Sequence, residues 1–203
     1  MGGPSAGAGG CPSGALEEMA AALSEALGQA GASLEREQLE NGSLSVSAKF
    51  DGFIVVLNCK AGKYEAFVHV SEPGAFSVRV WGPDPGSALV GLRRELAGLL
   101  VGFARSAPEL ARRVVEEAAR SGYRAAAVAA AGMLDYLAGL HGVLERLDRA
   151  LGVFSEDGEG LVDPYGLEHE RELEAAGREL RRASAELRDL ARERWPCDRS
   201  LNF

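Results

Sequence analysis

From Ser43 to Trp81 the chain alternates between polar and apolar positions with the period of a strand, broken at intervals by turn residues. Ser43 to Phe50 alternates strictly, Asp51-Gly52 makes a tight turn, and Phe53 to Cys59 is apolar on both sides. Lys60 to Lys63 turns into Tyr64–Val70, and Ser71-Glu72-Pro73-Gly74 turns into a last strand from Ala75 to Trp81. Pairing Phe50 with Phe53 and Val70 with Ala75 sets the expected register. It collects Leu44, Val46, Phe50, Phe53, Val55, Leu57, Tyr64, Val68 and Trp81 on one face. The other face then holds Ile54, Val56, Phe67, Phe76, Val78 and Val80, so both faces are expected to need covering. Asn41-Gly42 signals a further hairpin that brings in Ser33 to Glu40 as a fifth strand. Its Glu35 and Glu37 are expected to point to the core side, the inward charge of an edge strand that must not pair further.

Outside the sheet the period changes to that of a helix. Ala15 to Ala30 carries an apolar stripe through Leu16, Met19, Leu23 and Leu27, ended by Gly31. Gly-Pro-Asp-Pro-Gly86 breaks the chain after the sheet, and two helices are expected next, Ser87 to Arg105 and a shorter one from Pro108 to Arg120. The first of these is the expected cover for the second sheet face. Tyr123 to Leu151 repeats Ala130, Leu137, Leu144 and Leu151 every seven residues, interleaved with Met133, Leu140 and Leu147. Leu167 to Trp195 does the same with Leu173, Leu180 and Leu187. Each would be ~43 Å long, and the connector between them permits an antiparallel, coiled-coil-like hairpin or a pairing between chains. The expected fold is α+β: an N-terminal helix and a five-stranded antiparallel meander, then four helices. Residues 1–14 read as a flexible tail, 15–105 as the sheet with its covering helices, and 106–203 as a helical region.

Composition narrows the function classes more than it selects one. The 203 residues are 46% hydrophobic and 26% charged, which suits a folded chain. Nineteen Arg against three Lys, with three Asn, two Gln and no Thr, fits a GC-rich genome and also a thermophile. The formal net charge is −8, with 5 basic and 9 acidic groups in residues 1–82 and 17 and 21 beyond. Neither part carries the positive footprint of a nucleic-acid binder. Cys11, Cys59 and Cys197 have no metal-binding spacing and argue against a disulfide framework, which points to a reduced, cytoplasmic protein. The longest apolar run, Ala125 to Leu134, is ten residues and shorter than the ~20 that cross a bilayer, so no membrane partner is expected.

No catalytic constellation stands out. Gly3-Pro-Ser-Ala-Gly7 matches a nucleophile-elbow pattern without the strand that must precede it. From Glu156 to Glu174 eight acidic side chains accompany one Arg, but aligning Gly160 with the invariant glycine of a calcium loop leaves the closing position to Gly166 instead of Glu. His141 and Glu145 stand one turn apart and His169 lies among Glu168, Glu170 and Glu172, and surface roles are expected for both histidines. Cys59 and His69 fall on opposite faces of neighbouring strands, so Cys59 reads as a small buried apolar residue. Asn58, Glu65 and His69 share a sheet face beside apolar residues and form a candidate small-ligand pocket. Arg178, Arg181, Arg182, Arg188 and Arg192 form a candidate interaction surface, although interspersed acids make it resemble an ordinary exposed helix. The expected function is a protein-interaction or scaffold module, self-associating or bound to a protein partner, with neither cofactor nor metal. The alternative is a small-ligand or nucleic-acid binding protein.

Overall fold

The computed structural model describes residues 10–28, 32–39, 42–153 and 168–193, the side chains of 168–170 excepted. Helix α1 (Ala15–Leu27) is followed by strands β1 (Leu34–Gln38), β2 (Leu44–Phe50), β3 (Phe53–Lys60), β4 (Lys63–Val70) and β5 (Phe76–Gly82). Helices α2 (Pro85–Ser121), α3 (Arg124–Leu151) and α4 (Glu168–Glu193) follow, giving the α+β order read from the sequence. Two compact units divide it. One contains α1, the sheet, α2 through Ala97 and α3 from Arg146; the other contains Gly98–Glu145 and α4.

The five strands form one antiparallel meander in the order β1-β2-β3-β4-β5. Phe50 pairs with Phe53 and Lys60 with Lys63 across two-residue turns. In the second turn Ala61 and Gly62 have φ of 51° and 71°, the left-handed pair of a type I′ hairpin. Two other connections differ from expectation by one residue, and each reverses a strand's faces. Val70 pairs with Phe76, not Ala75. Phe76, Val78 and Val80 therefore join the side of Val46, Val55, Leu57 and Val68, while Ser77, Arg79 and Trp81 take the outer face. Likewise Gln38 pairs with Leu44, so Glu35 and Glu37 lie on the outer face, where Lys49 Nζ reaches Glu35 at 2.7 Å. The covered face is thus apolar across β2 to β5, while on the edge strand β1 it carries Arg36 and Gln38 beside Leu34, both exposed. Trp81, expected inside, is 54% exposed.

That face is where the covering helices pack. Helix α1 turns Met19, Leu23 and Leu27 inward and touches β1, β2 and β3. The start of α2 lies over β5, where a Cβ on Gly91 would meet Val80 Cγ1 at 2.6 Å; only glycine allows this approach. Arg93 donates from Nη2 to the Ala26 carbonyl at 3.0 Å, using one of the free carbonyls at the end of α1. Burial depresses the basicity of this guanidinium, with the Glu25 carboxylate partly offsetting it. Phe53, Leu57, Leu92 and Leu96 are closed off from water between these layers, each buried apolar side chain contributing about 1.5–3 kcal/mol.

A disulfide joins Cys11 to Cys59, correcting the reading of these cysteines as unpaired thiols. Their Cα atoms are 6.0 Å apart. Cys59 is buried as expected, but it anchors the segment that precedes α1 to the middle of the sheet.

The two helices expected between residues 87 and 120 are one. Helix α2 runs through Pro108, whose ring removes one backbone donor without ending the helix. Its start is set by Asp84, which accepts from the Ser87 N–H at 2.8 Å and from Ser87 Oγ at 2.6 Å, with Pro85 in the first position. Those two bonds hold the Asp84 carboxyl below its usual range. Asp84→Ala should cost about 1 kcal/mol, measured by denaturant unfolding. Because the folded-state pKa is lowered, the cap stabilises above the unfolded carboxyl pKa, and that stability is lost as pH falls through the folded value. The wild-type advantage over the Ala variant should therefore shrink in acid.

Candidate functional site

In the helical unit α3 and α4 run antiparallel, since Ser184 reaches Asp135 while Leu173 meets His141. Ser184 Oγ donates to Asp135 Oδ1 at 2.6 Å, and Arg188 Nη2 pairs with Asp135 Oδ2. The seam on α4 is the expected one, with Leu173, Ala176, Leu180, Ala183 and Leu187 buried. On α3 Leu144, Leu147 and Leu151 are buried as expected, but the first half of the seam is rotated. Ala127, Ala131 and Leu134 are buried, whereas Met133, expected in the seam, is 44% exposed.

His141 is not on the surface. Its ring has no exposed area, and Nε2–H donates to the Leu173 carbonyl at 2.6 Å. Nδ1 finds no hydrogen-bond partner among the described residues, and Glu145 Oε1 is 3.7 Å from Nε2. The ring lies against Gly177 of α4, in the space a Cβ there would occupy. No group of three or more metal-ligating side chains occurs among the described residues. The acidic connector from 154 to 167 and the side chain of His169 lie outside the described residues.

Asn58, Glu65 and His69 do share the outer sheet face, but the structure joins only the first two. Asn58 Nδ2 donates to Glu65 Oε2 at 3.1 Å, and Arg79 Nη1 stands 3.6 Å from Glu65 Oε1. The Arg79 guanidinium also lies over the Phe67 ring, 5.1 Å from its centre. His69 is four residues along β4 from Glu65, roughly 13 Å away, and its Nδ1 contacts Ser77 Oγ at 2.9 Å. The buried Glu65 carboxylate is thus already met by an amide and a guanidinium on this face.

The arginines of α4 are largely engaged within their own helix. Arg178 pairs with Glu174, Arg182 with Glu179 and Arg192 with Asp189, all three or four residues apart. Arg188 clamps Asp135 of α3, and Arg181 makes no ion pair among the described residues.

The least satisfied surface lies on α3. Around its outer side Ala125, Val128, Ala129, Gly132, Met133 and Tyr136 are all exposed, without a charged residue among them. Val128 is 54% exposed and Tyr136 45%. Beside this strip, Val114 and Ala118 of α2 with Ala126 and Ala130 of α3 line an open groove of about 320 Å³, edged by Arg113 and Glu117. Helix α3 is long and apolar enough, by length and composition, to cross a bilayer, but its Asp135 is fastened to α4 at mid-length. The sequence carried the signal in the run from Ala125 to Leu134. Those residues exceed what one buried stripe needs, so some must face outward. No protein-family model matches the chain, and no curated protein or solved structure is similar enough to count as a match.

Proposed function

We propose that this chain is a protein-interaction module that presents the outer side of α3 to an amphipathic helix of a protein partner. The supporting observation is the uncharged exposed strip from Ala125 to Tyr136. Contiguous apolar surface of this kind is a signature of association. The neighbouring groove has room for an anchoring side chain, and Gly132, Ala125 and Ala129 allow a partner helix to come close. The acid–amide–guanidinium cluster on the sheet favours no ligand over this reading, because its members satisfy one another.

Val128→Glu and Met133→Glu test the proposal. Both sites are exposed, so the thermal midpoint should change little, with effects within about 0.5 kcal/mol. Each buried charge should abolish capture of proteins cross-linked to the wild-type strip. An unchanged set of cross-linked partners would refute the assignment.

A further inference from the structure

The two edges of the sheet are built differently. Strand β1 reads Leu-Glu-Arg-Glu-Gln, with its last four residues exposed and Glu35 paired to Lys49. Such charge guards an edge against further pairing. Strand β5 reads Phe-Ser-Val-Arg-Val-Trp-Gly, with one charge in seven residues, no proline and no lysine. Phe76, Val78 and Val80 face the apolar side yet are only half-buried, unlike Ala66, Val68 and Val70 beside them on β4, which are closed off from water.

Backbone alternation identifies the free groups on this edge. The type I′ turn makes Lys60 and Lys63 a hydrogen-bonded pair, so residues 63, 65, 67 and 69 bond β3, while 64, 66, 68 and 70 bond β5. Phe76, Val78, Val80 and Gly82 therefore spend their N–H and C=O groups on β4. Those of Ser77, Arg79 and Trp81 point away from the sheet, and they have no other backbone partner among the described residues. What completes such an edge is another extended backbone.

We infer that β5 pairs antiparallel with β5 of a second copy, joining two sheets into one across a two-fold axis at Val78. This register sets Val78 opposite Val78 of the other copy and Phe76 opposite Val80 on the apolar side. On the outer side it sets Ser77 opposite Arg79, which exchange both of their backbone bonds. Shifting the axis to Arg79 opposes two guanidiniums, a repulsive cross-strand pair. Shifting it to Val80 leaves Val78 facing Gly82 and strands Phe76 beyond the paired region. Of these three registers, the one centred on Val78 is self-complementary in charge and apolarity. The contact is separate from the α3 strip, so either can fail alone.

The test uses the full chain at tens of micromolar in sedimentation velocity. Wild type should sediment as a dimer. Ser77→Pro removes an N–H that the fold does not use and puts a ring into the partner's path; it also gives up the exposed Ser77 Oγ–His69 contact, so it should give a folded monomer with a modestly lowered thermal midpoint. In a Cys197→Ser background, Val78→Cys should form a disulfide-linked dimer under mild oxidation, because non-bonded antiparallel pairs bring the Cα atoms to about 4.5 Å. Val80→Cys in that background should not. Met133→Glu should leave the dimer intact. A monomeric wild type, or a dimer that persists in folded Ser77→Pro, would overturn the inference.

Discussion

Gly177→Ala should destabilise the helical unit by about 1–3 kcal/mol, where the same change on an ordinary helix would add ~1 kcal/mol of stability. The reversal of sign follows from the His141 ring. A Cβ on Gly177 would stand 2.5 Å from Nδ1 and 2.6 Å from Nε2, and closer still to Cε1. The ring cannot swing away freely, because it is fully buried and its Nε2–H satisfies the Leu173 carbonyl at 2.6 Å. Moving it would leave the buried Nε2–H without its acceptor, a loss of about 1–3 kcal/mol. Denaturant unfolding of the single variants and of Gly177→Ala combined with His141→Ala would isolate the collision. His141→Ala alone should destabilise by opening a cavity, and the added methyl should then be tolerated. If Gly177→Ala is equally harmful in both backgrounds, the ring is not what requires glycine there.

This contact marks where sequence reading stops. The presence of α3 and α4 is legible from their periodicity, but the close approach of Gly177 to His141 depends on how far each helix is rotated, which seven-residue counting leaves open. The rotation is also why Met133 is exposed while Ala127 and Ala131 are buried. The outer sheet face shows the same limit at the scale of one residue. Counting the connection after β4 as four residues put Trp81 inside; five residues, 71–75, separate Val70 from Phe76. The alternation of β5 itself contained the better answer. Phe76, Val78 and Val80 alternate with Ser77, Arg79 and Trp81, and burying the first set removes three apolar side chains from water at the expense of exposing one. In the candidate pocket the shared face of Asn58 and Glu65 was legible because their strands are joined by a short, well-defined turn. The hydrogen bond between them, and the separate pairing of His69 with Ser77, came only with the side-chain positions.

Reduction of the Cys11–Cys59 disulfide should lower the stability of the sheet unit by about 2–4 kcal/mol, moving its thermal midpoint down by roughly 5–15 °C. The bond closes a long loop, with 48 positions separating its cysteines. On the chain-entropy view, releasing a loop of that size gives the unfolded chain an advantage of up to about 4 kcal/mol. Spacing alone did not disclose the pair, because no local motif connects the segment before α1 with β3. The folded surroundings distinguish the two sulfurs. Cys59 is buried and paired across the sheet with Leu44 and Tyr64, so Cys59→Ser adds the cost of an enclosed hydroxyl to the loss of the bridge. Cys11 is only half-buried, so Cys11→Ser should lose the bridge alone and be the milder variant. Thiol titration of the denatured chain should find two more thiols after reduction than before. A reductant should then depress the midpoint of wild type and leave that of Cys11→Ser unmoved. That pair of results would assign the lost stability to the Cys11–Cys59 bridge. Equal midpoints with and without reductant would mean that burial of Met19, Leu23 and Leu27 already holds α1 against the sheet without the covalent tie.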